Sequence, residues 1–106
     1  MKEFFYFDDR LGIHIPNMDL GWHYYSMEMD TQHSILYHWE LIRGSIPDRI
    51  ADLEHTINIK QAQLSEENDF HRSCELNAEI AEHASIINDL WILYRENQEI
   101  SDKVLQ

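Results

Sequence analysis

Seven histidines among 106 residues, set beside 20 carboxylates and a lone cysteine, raise metal chemistry first. Glu67 and His71 stand four apart, as do Glu79 and His83, and at that spacing the members of a pair share one helical face. His71 and Cys74, three apart, could join one ligand set. A helical hairpin would carry His55 opposite Ile80–His83, towards Glu79 and His83. A specific site needs three or four such groups converging in fixed geometry. The patterns that secure convergence are missing: there is no Cys-x-x-Cys, no His-Glu-x-x-His, and no Glu-x-x-His of the kind repeated in di-iron bundles. No cofactor is therefore expected. His55, His71, Cys74, Glu79 and His83 stay as the residual metal candidates of a third functional reading, a histidine–carboxylate metal-binding helical protein.

Nucleophilic catalysis has less behind it. Cys74 lies between Ser73 and Glu75, and an adjacent carboxylate raises a thiol's pKa instead of activating it, so Cys74 is read as a small core residue. Three scattered glycines cannot build a phosphate-cradling loop, a nucleophile elbow or a dinucleotide fingerprint. Carboxylates abound, but nothing in the sequence puts two of them in a dry cleft where their pKa values would separate. No catalytic residue is assigned and an enzyme is not expected.

The net charge of −12 points the same way. Direct nucleic-acid binding wants a basic patch, and none is visible. An acidic surface keeps a protein soluble, and it can also face a basic protein. An acidic inhibitor occupying a basic nucleic-acid-binding surface of a target is accordingly the second functional reading. One cysteine excludes an internal disulfide framework and suits a reducing, cytoplasmic setting. The apolar run after Met1 is too short for a secretory leader, and no window is apolar enough for a membrane span.

The elements that must carry these side chains read as mainly α. The expectation is three helices, the second and third forming a long antiparallel hairpin at about 46–65 and 69–100, preceded by a helix at about 27–43. Phe4-Phe5-Tyr6-Phe7, then Leu11, Ile13 and Ile15 alternating with Gly12 and His14, give a strand signal with Asp8-Asp9-Arg10 as the turn. A lone β-hairpin is marginal in water, so this extended segment, residues 1–21, is expected to pack on the helices within a single domain of residues 1–106.

Ser26 is placed to cap the first helix, whose buried face is Ile35, Leu36, Trp39 and Ile42, and Arg43-Gly44 supplies a stop signal. Ser45-Ile46-Pro47-Asp48 restarts a helix, with serine as cap and proline in the first turn, so a sharp corner is expected between the two. The second helix buries Ile46, Ile50, Leu53, Ile57 and Leu64; the third buries Leu76, Ile80, His83, Ile87, Leu90 or Trp91, and Tyr94. Ser65–Asp69 is the expected reversal. Ala78, Ala81, Ala84 and Ser85 are read as small residues that let the second helix come close.

In that hairpin Pro47 lies opposite Ile87, and the third helix overshoots from Asn88 onward. The overshoot holds Ile86–Tyr94, apolar nearly all the way round, as an enclosed helix is. The first helix and Phe4–Phe7 can cover part of it, and a large apolar patch left over marks a partner surface. The leading functional expectation is a non-enzymatic interaction or regulatory protein. It meets a protein partner or itself, as a homodimer, through the distal third helix, with Leu90, Trp91, Leu93, Tyr94, Tyr37 and Trp39 at the interface.

Overall fold

Ile35, Trp39, Ile42, Ile46, Ile50, Leu53 and Ile57 keep a single rhythm of threes and fours, and the chain obeys it without a break. In the computed structural model, which describes residues 4–17 and 27–96, helix α1 runs Met29–Glu66 through the whole series, and helix α2 runs Phe70–Glu96. Among the described residues two helices stand where the sequence predicts three. The corner at Arg43–Pro47 does not form, and Gly44 and Pro47 lie inside α1.

Magnitudes explain the correction. In a helix interior glycine costs about 1 kcal/mol and proline about 3 kcal/mol relative to alanine. Trp39, Ile46 and Ile50, buried on either side of the would-be break, each gain roughly 1.5–3 kcal/mol from burial. A corner would turn one of these groups away from the common stripe. Ile46 has no exposed surface at all. Ser45 adds a local bond, its hydroxyl donating to the Ile42 carbonyl at 2.6 Å.

The reversal is Glu67–Asp69, three residues within the predicted stretch. The Glu67 amide donates to the Leu64 carbonyl at 3.2 Å, closing α1. Asp69 caps α2: its carboxylate accepts from the His71 amide at 3.3 Å, satisfying one of the orphan donors of the first turn. Lys60 Nζ meets Glu79 at 3.2 Å, and the Arg43 guanidinium donates to the Tyr94 carbonyl at 3.1 Å. These two bonds fix the antiparallel register. Because α1 continues back to Met29, the distal part of α2 is flanked by α1 throughout, and the predicted overshoot of the third helix disappears. It is the start of α1 that reaches past the described end of α2. There Ile35, Leu36 and Trp39 are buried, and Phe5 packs its ring against His38 at 4.9 Å.

A β-hairpin covers one side of the helix pair. Strands β1 (Phe5–Asp8) and β2 (Ile13–Pro16) pair antiparallel, Asp8 opposite Ile13 and Phe5 opposite Pro16. Its loop is Asp9–Gly12, so Gly12 belongs to the turn and not to the alternating strand. The Asp8 side chain accepts from the Leu11 amide at 2.9 Å, and the Asp8 carbonyl accepts from the Gly12 amide at 2.7 Å. Phe5, Leu11 and Ile13 enter the core beside Ile35, Trp39, Ile46, Ile50, Leu53, Ile86 and Leu90. Arg49 reaches from α1 and donates to the Leu11 carbonyl at 3.0 Å.

Gly12 has φ +76°, and a Cβ there would lie 2.8 Å from Arg49 Nε. Gly12→Ala therefore meets two penalties, left-handed strain and a displaced arginine. It should cost about 1–2 kcal/mol, read as a lower melting temperature in a thermal scan.

Three further expectations change. Cys74 is exposed and not a core residue. Ala78, Ala81, Ala84 and Ser85 are exposed too, so they face away from α1 instead of admitting it. Glu28 occupies the N-cap of α1 without a side-chain bond, while Ser26, like Trp22, Tyr24, Tyr25 and residues 97–100, lies outside the described residues. Among the described residues no helix is long and apolar enough to cross a membrane.

Candidate interaction surface

The apolar run Ile86–Tyr94 is divided between core and surface. Leu90 is fully enclosed, Ile86 is buried, and Ile87, Leu93 and Tyr94 lean half-buried on the core. Trp91 keeps 40% of its surface in solvent and Ile92 keeps 37%. The division follows helix geometry. Arg10, on the β-hairpin loop, donates to Glu82 at 3.0 Å, to Asp89 at 2.7 Å and to Ser85 Oγ at 2.8 Å, which draws the hairpin onto that flank of α2. Trp91 follows Asp89 by two residues, roughly 200° round the helix, on the flank the hairpin leaves open.

Trp91 is held in place. Its ring meets Tyr94 edge-on at 5.8 Å, and the Arg43 guanidinium lies over the Tyr94 ring, 4.4 Å from its centroid. Arg43 also donates to the Tyr94 carbonyl and pairs with Glu40 at 3.5 Å, so it is fixed from three directions. Tryptophan, tyrosine and arginine are the residue types that dominate binding energy at protein interfaces. Here Trp91 packs on Tyr94 and Arg43 covers Tyr94 within the single chain.

Of the residues expected at an interface, Trp91 and Tyr37 are exposed, Tyr37 with 68% of its surface in solvent. Leu93 and Tyr94 are half-buried. Leu90 and Trp39 lie beneath, in the core. Leu41, one turn beyond Tyr37 on α1, is exposed as well, and the i,i+4 spacing could have flagged it. Ile92, Leu93, Leu11, Ile15 and Asp89 line an open cleft of about 230 Å³ where the β-hairpin meets α2. The contacts of Arg10 with α2, Arg43 with Tyr94 and Arg49 with Leu11 left no local mark in the sequence, because each spans 38 residues or more.

The metal candidates are scattered. Among the described residues no group of three or more His, Cys, Asp or Glu side chains converges on a common point. His55 is exposed, and His71 pairs with Glu75 at 2.9 Å instead of Glu67. Glu67 reaches forward to accept from the Asp69 amide at 3.0 Å. His83 Nδ1 lies 2.7 Å from the Glu79 backbone carbonyl and not its carboxylate. The Glu79 carboxylate instead joins the two helices through Lys60. That hydrogen bond holds its pKa below the ordinary carboxylate value, with Arg72 assisting through charge. A folded-state pKa that is depressed contributes stability above the unfolded value, and this is lost as pH falls through the folded one.

No family model matches the chain, nor does any curated protein or solved structure.

Proposed function

We propose that this protein is a non-enzymatic interaction or regulatory domain that self-associates through the distal part of α2. One observation carries the reading: Trp91 stands 40% exposed yet braced by Tyr94, which Arg43 in turn covers, on the flank of α2 opposite the Arg10 clasp. A large aromatic ring left half in water costs hydrophobic free energy, roughly 25 cal/mol for each Å² of apolar surface a partner would cover. Ile92, Tyr37 and Leu41 are further exposed apolar side chains of the two helices. The metal chemistry that would compete with this reading lacks a converging set of groups among the described residues.

The test is the molar mass of the full chain by light scattering over a concentration series. The expected result is a rise from 12.8 kDa towards twice that value. Trp91→Ala should abolish the rise while leaving the helical circular-dichroism signal intact, since the ring is only partly enclosed. A wild-type chain that stays monomeric at every concentration, or a Trp91→Ala variant that associates unchanged, would sink the proposal.

A further inference from the structure

Asn77, Ile80, Ala84, Ile87 and Trp91 follow one another at spacings of three, four, three and four, a seam along α2 separate from its core stripe. None of the five is buried: Asn77, Ala84 and Trp91 are exposed, and Ile80 and Ile87 are half-exposed. The seam is also free of carboxylates. Glu75, Glu79, Glu82 and Asp89 all lie more than about 100° away round the helix. In a chain of net charge −12, that distribution leaves one long face of α2 that carries no like charge of its own.

We infer that the occupant of this face is a second copy of the chain, its α2 lying antiparallel with Ala84 on the two-fold axis. The inference rests on the self-association proposed above and adds the partner's orientation and register. A two-fold contact matches each residue to its mirror position in the series. The seam is self-complementary under that operation. Asn77 faces the tryptophan of the second copy, whose indole N–H can donate to the amide oxygen. Ile80 of each copy faces Ile87 of the other, apolar on apolar. Ala84 faces its own counterpart, and the small side chains let the helix axes approach to the lower end of the usual range, about 8 Å. A parallel pairing would set tryptophan against tryptophan and amide against amide.

Four turns of seam span about 21 Å. A contact of that length falls below the standard interface, roughly 800 Å² per partner, so the dimer is expected to be weak and reversible. Glu54 opposes it. It is exposed on α1 and, by the register of Lys60 with Glu79, level with Ala84, so its charge approaches its counterpart near the axis.

The experiment uses the full chain with Cys74→Ser, which removes the one native thiol. Ala84→Cys in that background should form a disulfide-linked dimer under mild oxidation. Ala84→Glu, at an exposed helical position, should weaken association at least about tenfold by burying two facing carboxylates. Glu54→Gln should tighten it several-fold. Association that survives Ala84→Glu, with no disulfide formed by the Ala84→Cys variant and no gain from Glu54→Gln, would overturn the register while leaving self-association standing. A wild-type chain that never associates would remove both.

Discussion

Pro47→Ala should stabilise the protein by about 2 kcal/mol, an unusual direction for a substitution at a proline. Inside α1, Pro47 cannot donate to the Arg43 carbonyl, and its ring crowds that carbonyl, at a cost of about 3 kcal/mol relative to alanine. Alanine gives back part of the gain by loosening the unfolded chain, roughly 0.4–1 kcal/mol. Pro47 is exposed, so no core packing is lost. The sign separates two architectures. At the first turn of a separate helix proline is favourable, and Pro47→Ala would then lower stability. Urea unfolding measures it: the midpoint should rise with the slope unchanged. Gly44→Ala should add about 1 kcal/mol more, since nothing lies within 4 Å of the new Cβ.

That same segment shows where the sequence was readable and where it misled. Arg43-Gly44 and Ser45-Ile46-Pro47-Asp48 are local start and stop signals, and each is a weak preference that packing can override. The unbroken rhythm of Trp39, Ile42, Ile46 and Ile50 was the stronger guide, because it sums several burials into one stripe. Other local signals held. The reversal falls within the polar run Ser65–Asp69, at Glu67–Asp69, and Phe5 and Ile13 lie in a β-hairpin. The helical hairpin and the apolar character of Ile86–Tyr94 were legible for the same reason.

Which side of Ile86–Tyr94 faces solvent was not legible. Leu90 and Trp91 are neighbours in sequence, and periodicity admits either at the core position. The choice is made by Arg10, 79 residues away from Asp89, when it draws the β-hairpin onto one flank. Leu11 and Ile13 enter the core cluster that also holds Leu90, and Trp91 remains on the other flank. Residue type alone places Cys74 in the core, yet the three-and-four stripe through Leu76 turns it outward.

Leu90→Ala should be the most damaging of these substitutions, at about 3–4 kcal/mol, from lost burial plus the cavity left behind. Leu90 has no exposed surface and belongs to the core cluster to which the β-hairpin, α1 and α2 all contribute. Against the roughly 5–15 kcal/mol of an ordinary domain, such a loss removes about a fifth or more of the total. Neighbouring Trp91 supplies the control. Leu90 acts within one chain, so its loss should lower the urea midpoint equally at every protein concentration. A Trp91→Ala effect should instead grow with concentration, because binding between folded chains stabilises them by mass action. If the Leu90→Ala deficit also grew with concentration, Leu90 would belong to the interface and the core assignment would fail. If it stayed constant while that of Trp91→Ala grew, adjacent residues on one helix would have been separated into fold and association by a single pair of titrations.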